Sequence, residues 1–234
     1  VAISEDGSTP ATVTRSTSSA ALSTASFSPP AGSLLVALSS WAAASGTQTA
    51  TITDSGTHTW TLAKRANATG AGDAEISYTY LSSAPGSITV TGTPTSGGTT
   101  EFLSVRVLLG AASTQTGASA AHTSGTTPTI SLTTTTVGSW VYGCMMDLAN
   151  SQAALTANAS SATITWFNNT TDGENAASFK ASAATVTPGA TTYGWSAGLT
   201  DTYMLAAWEV LPASGTVATS VLSTRAARLR ASVY

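Results

Sequence analysis

One cysteine, Cys144, stands in the whole chain of 234 residues. No internal disulfide can form, and nothing in the chain depends on an oxidising compartment. Charge is nearly as scarce. Asp, Glu, Lys and Arg together make up 8% of the residues, against roughly 25% in an average globular protein. Eight Lys and Arg leave no basic footprint for a nucleic acid. The formal net charge is −3. Only two histidines occur, His58 and His122, and neither has a His or Cys partner at metal-ligand spacing. No apolar run approaches the ~18 residues of a membrane span. Val1-Ala2-Ile3-Ser4-Glu5-Asp6 has neither a basic start nor an apolar stretch, so no signal peptide is expected.

What is present is hydroxyl and apolar side chain. Ser and Thr supply about a third of the chain, and hydrophobic residues 42%. Low charge with ample apolar content is the reverse of a disordered composition. Thr and Val suit half-buried pleated surface. With few charges to repel neighbours, such a surface is prone to association.

Short strand-like runs recur between Gly, Pro, Ser, Asn and Asp clusters, and helical periodicity is nearly absent. Strands are predicted at 11–15, 33–41, 48–53, 58–65, 74–81, 87–91 and 101–109. Others follow at 129–133, 139–147, 163–167, 176–183, 191–197, 203–211 and 216–222. Ile76, Tyr78 and Tyr80 alternate with polar residues, as do Ile88 with Val90 and Ile164 with Trp166. The runs Leu34 to Leu38 and Val105 to Leu109 are continuously apolar and predict central strands. The expectation is an all-β, two-sheet antiparallel β-sandwich, jelly-roll-like, forming one domain over 1–212. Residues 111–127 read as a polar crossover. Residues 213–234 hold no acid and form a short basic arm with weak helical spacing over 223–230. Its arginines Arg225, Arg228 and Arg230 are the candidate partner-binding residues.

A faint internal repeat runs through this pattern. Ala31-Gly32-Ser33-Leu34-Leu35-Val36-Ala37 resembles Val137-Gly138-Ser139-Trp140-Val141-Tyr142-Gly143. A strand carrying a tryptophan, Trp60 or Trp166, follows each, and each half closes on an apolar strand, Leu103 to Gly110 or Met204 to Pro212.

Several motifs invite chemistry. Asp54-Ser55-Gly56 matches the aspartic-protease signature, but that reaction needs two carboxylates sharing a proton. Asp172-Gly173 lacks the Ser and Asp201-Thr202 lacks the Gly, so the motif reads as a turn. No Gly-x-Ser-x-Gly elbow and no phosphate loop is present. Cys144, within Tyr142-Gly143-Cys144-Met145-Met146, reads as a buried, inert thiol. Asp172 and Glu174 share a loop that could offer oxygen ligands to calcium, without an ordered ligand pattern. Trp41, Trp60, Trp166 and Trp208 lie in strand patterns and are expected in the core, whereas Trp140 and Trp195 could join a sugar platform. No catalytic residue, cofactor or metal is expected.

Pro30-Ala31-Gly32-Ser33-Leu34-Leu35-Val36-Ala37-Leu38, Thr59-Trp60-Thr61-Leu62 and Pro85-Gly86-Ser87-Ile88-Thr89-Val90 belong to the first half. Pro128-Thr129-Ile130-Ser131-Leu132, Gly138-Ser139-Trp140-Val141 and Ala206-Ala207-Trp208-Glu209-Val210-Leu211-Pro212-Ala213 belong to the second. Over about residues 25 to 213 this sequence resembles a loose β-sandwich family of tailed-bacteriophage virion proteins and some bacterial surface proteins. The resemblance implies a non-enzymatic structural role, as a capsid decoration or minor tail protein assembled in the host cytoplasm. Its implied partners are major capsid or tail subunits and further copies of itself, a trimer first among them. Neither nucleic acid nor membrane is an expected partner. The alternative is a carbohydrate-binding module, with a host surface glycan as ligand.

Overall fold

The computed structural model describes residues 1–16, 21–43, 47–123, 125, 127–148, 152–183, 186–196, 198–199 and 202–214. Among these residues every regular element is a strand. The first half carries β1 (Ser4–Glu5), β2 (Val13–Arg15), β3 (Leu22–Ser23), β4 (Ser33–Trp41), β5 (Ala50–Asp54), β6 (Thr61–Ala68), β7 (Gly72–Leu81), β8 (Val90–Pro94) and β9 (Glu101–Leu109). The second carries β10 (Ser119–Thr123), β11 (Thr129–Thr134), β12 (Trp140–Asp147), β13 (Ser161–Asn169), β14 (Glu174–Ala181), β15 (Gly189–Gly194) and β16 (Tyr203–Val210). The sequence expectation at 216–222, the helical spacing at 223–230 and the three arginines of the arm lie outside the described residues.

The strands form antiparallel sheets stacked as a sandwich four sheets deep. Two large sheets make the middle, in the orders β1-β9-β4-β7-β6 and β10-β16-β12-β14-β13. The outer layers are β3-β8-β5 over the first large sheet and β11-β15 over the second. Period-2 alternation sorts the side chains among three apolar layers. On β4, Leu34, Val36 and Leu38 point between the large sheets, while Leu35, Ala37 and Trp41 point toward β3-β8-β5. On β12, Tyr142, Cys144 and Met146 point inward, while Val141 and Met145 point toward β11-β15. Strands with an apolar layer on each side need apolar residues throughout, which is why β4 and β9 read as continuous hydrophobic runs. The shared middle layer joins the halves.

The halves repeat each other strand for strand, β9-β4-β7-β6 against β16-β12-β14-β13. Gly32 and Gly138, at the matching approaches to β4 and β12, have φ of 77° and 79°, a region that favours glycine. Both edge strands carry a register shift at the same place, across Ala63 in β6 and across Ile164 in β13. Trp60 precedes β6 and Trp166 lies inside β13, so the two tryptophans are not equivalent.

Three expectations change. Ile164 and Trp166 were to share a face, but the shift at Ile164 turns the strand over. Ile164 packs between the large sheets and Trp166 packs toward the β11-β15 layer. The polar crossover at 111–127 contains β10, which pairs with β16 and forms the edge of the second large sheet. Its largely exposed Ser-Ala-Ala-His-Thr sequence gives no apolar alternation to detect. The chain stacks four sheets rather than two, because each half also folds its short strands into a small outer sheet.

Candidate functional site

The Asp54-Ser55-Gly56 motif closes β5 as a hydrogen-bonded turn. Asp54 Oδ1 accepts the Gly56 N–H at 2.7 Å and the His58 ring Nδ1 at 2.8 Å, and Oδ2 accepts the Trp60 Nε1–H at 2.7 Å. Burial pushes the Asp54 carboxyl up, but the bonds from His58 and Trp60 more than offset it, and its pKa lies below the ordinary value. Ser55 Oγ accepts the Thr89 N–H at 3.1 Å, so it is spent on the neighbouring strand and not on His58. The carboxylate shapes a turn, with His58 and Trp60 as its side-chain partners.

Other leads resolve into packing. Cys144 is fully buried, and its Sγ–H reaches the Glu75 carbonyl at 3.2 Å. Burial pushes this thiol far above the usual range, which leaves no thiolate to react. His122 Nδ1 lies 2.7 Å from the Tyr203 hydroxyl, which donates to the Thr127 carbonyl. In the β13–β14 hairpin, both Glu174 oxygens accept the Thr99 hydroxyl, at 2.7 and 2.8 Å. Asp172 accepts Asn169 Nδ2 at 2.8 Å. This hairpin thus ties the halves together. No group of three or more His, Cys, Asp or Glu able to hold a metal occurs among the described residues.

Trp41, Trp195 and Trp208 are buried. Trp195, one of the two sugar-platform candidates, is therefore core. Trp60 and Trp166 are half-buried, with indole N–H groups donated to Asp54 and to the Gln152 carbonyl. Trp140, also half-buried, has Lys180 Nζ 5.8 Å over its ring. With Lys180 and Ser182 it lines a depression of about 210 Å³.

The distinctive feature is where the charge lies. Of the eleven acids, seven are buried: Asp54, Asp73, Glu75, Glu101, Asp147, Glu174 and Glu209. Glu209 shows how this is tolerated. Its carboxylate accepts the backbone N–H groups of Ala118, Thr135 and Thr136 at 2.9–3.0 Å. Burial raises its pKa, those bonds lower it, and the net shift is downward. Among the charged residues described, Asp172 alone is exposed and the others are half-buried or buried.

In place of charge, the outer layers present hydroxyls. On β5 and β8, Thr51 pairs with Thr93 and Thr53 with Thr91, all directed away from the buried Ile52 and Val90. Ser23 on β3 extends that row, its hydroxyl 2.7 Å from Thr91 Oγ1. Thr49 and Thr95 continue the array at one end, and Ser26 with Ser87 at the other. On the opposite outer layer Ser131 meets Thr192 at 3.3 Å. The sequence showed the Thr and Ser content. Their arrangement as rows depended on strand register.

No protein-family model, curated protein or solved structure matches this chain.

Proposed function

We propose that this chain is a non-enzymatic structural component of a bacteriophage virion, a capsid decoration or minor tail protein that packs on other virion subunits. One observation carries the reading: among the described residues Asp172 is the one exposed charged residue, and the outer sheets are lined with neutral hydroxyls. Hydroxyls cost less to desolvate than charges, and each can donate or accept, so one face can meet many partners or another copy of itself. Seven of the eleven acids are buried in the fold, where they serve turns, strands and a hairpin and are withdrawn from the surface a partner would meet. The expected partners remain major capsid or tail subunits and further copies of the chain, with a trimer first.

Sedimentation of the purified chain alone and with host-derived particles tests this. The expected result is a homo-oligomer, or a chain recovered with the particle at a fixed stoichiometry. A monomer at high concentration that binds no particle would refute it.

The alternative, carbohydrate binding, rests on the depression beside Trp140, Lys180 and Ser182. Lys180 already covers the Trp140 ring that a sugar would stack on. Glycan-array binding that is lost in Trp140→Ala would favour this alternative over the virion role.

A further inference from the structure

The side of the first large sheet that faces β3-β8-β5 ends in a patch of polar groups sealed from solvent. Ser39 and Trp41 on β4, Asp73 and Glu75 on β7, and Glu101 on β9 share this side, with Trp41 paired to both Asp73 and Glu101. All five are buried. Two arginines serve the two glutamates: Arg65 Nε donates to Glu75 Oε1 at 2.5 Å, and Arg15 lies 3.0 Å from Glu101 Oε2. Glu75 Oε1 also accepts the Ala50 N–H at 3.0 Å. Asp73 receives nothing comparable. Neither of its oxygens, nor Glu75 Oε2, has a hydrogen-bond donor among the described residues.

Two residues apart on one strand, the Asp73 and Glu75 side chains lie on the same side of the sheet. Among the described residues, the remaining neighbours bring no cation. β4 supplies Ser39 and Trp41, and the segment entering β5 supplies Gln48, which bonds the Ala42 and Ser96 carbonyls. β5 carries its own acid, Asp54, only at its far end. β8 supplies Gly92, where a Cβ would stand 2.6 Å from the Trp41 ring. From the other large sheet Cys144 of β12 faces this strand, its thiol on the Glu75 carbonyl. An isolated buried carboxylate is far costlier than a protonated one. Two adjacent carboxyls with one cation between them have a simple solution, in which one keeps its proton and donates it to the other.

We infer that Asp73 is uncharged in the folded protein, donates its proton to Glu75 Oε2, and makes the first half a fold that tightens as the solution becomes more acidic. Burial, the hydrogen bond with Glu75 and the charge of Glu75 all raise the Asp73 pKa well above the ordinary value, and the Arg65 charge and the Trp41 backbone N–H offset only part of the rise. The sign follows. Below the unfolded Asp pKa, ~3.9, both states hold the proton and the contribution is fully present. Between that value and the folded pKa only the folded state holds it, so stability falls as pH rises. Above the folded pKa no further change occurs.

Two measurements on the full chain test the inference. Carbon-13 NMR of aspartate-labelled protein, with Asp73 assigned by its loss in Asp73→Asn, should place the Asp73 carboxyl at its protonated shift at pH 7. A carboxylate shift there overturns the inference. In urea unfolding across pH 5 to 8, the folding equilibrium constant of the wild type, relative to Asp73→Asn, should rise by up to about tenfold per unit fall in pH, the linkage of one proton. Parallel pH profiles for the two proteins overturn it. So does a wild-type stability that depends on added calcium or magnesium and loses that dependence in Asp73→Asn, because a cation would then replace the proton. If the variant does not fold, assignment through neighbouring backbone resonances leaves the wild-type NMR titration decisive.

Discussion

At the residue scale, two aspartates in the same half answer pH in opposite directions. Asp54 is held below the ordinary carboxyl range by donors from His58 and Trp60. Its contribution is present above the unfolded pKa and is lost as pH falls through the folded value. Asp73, buried beside Glu75 and without a side-chain donor among the described residues, behaves in the reverse way. Asp54→Asn keeps the turn's Oδ1 acceptor but sets an amide N–H₂ against the Trp60 indole N–H. It should cost ~1–3 kcal/mol, the range for a buried donor left unsatisfied. It should also remove part of the loss of stability below pH 4, read by urea unfolding, and should abolish no peptide cleavage. Trp208 is the larger anchor. It is 2% exposed and stacks on Tyr78 at 4.9 Å, joining the two large sheets. Trp208→Ala should cost ~3–5 kcal/mol. Trp60→Ala should cost less, because that ring is half-buried. Equal melting temperatures for both variants and the wild type would contradict this placement.

Elements differ in how plainly the sequence announces them. β4 and β9 were legible to the residue, because a strand covered on both faces shows an unbroken apolar run bounded by turn residues. β11, through the alternation of Ile130 and Leu132 with polar residues, and β14 were legible within two residues. β10 was not, since its exposed polar residues look like a loop and only pairing with β16 makes it a strand. The register shift at Ile164 was equally hidden, because one extra residue in a bulge leaves no mark on composition. Gly143 in mid-strand was read as part of an apolar run, and the fold gives its reason. A Cβ there would stand 2.2 Å from the Phe179 ring and 2.7 Å from the Ala206 carbonyl oxygen. Gly143→Val should therefore destabilise by at least the ~1–3 kcal/mol of an overpacked core. Phe179→Ala in the same chain should recover part of that loss, and additive costs in a double-mutant cycle would contradict the contact.

For the whole molecule, the acidic pI near 5.2 suggested an acidic body for the basic arm to dock on. The fold buries seven of the eleven acids, which withdraws them from a docking arm. At the surface the arm's Arg225, Arg228 and Arg230 would find few acids, chiefly the exposed Asp172 and the half-buried Asp6. Association should then have two separable parts. Contact through the hydroxyl rows involves no ions and should survive high salt, whereas arm contacts should be screened over the ~3 Å Debye length of 1 M salt. Sedimentation with particles is expected to weaken but persist from 0.05 to 1 M salt. Deleting 223–234 should lower the low-salt binding to the high-salt level and leave the melting temperature unchanged. Thr53→Lys with Thr93→Lys would place two ammonium groups on the β5 and β8 face, each costly to desolvate at an interface. That pair should abolish the salt-resistant part while the monomer stays folded. Binding that high salt removes entirely, or that ignores the lysines, would move the interface away from the hydroxyl face.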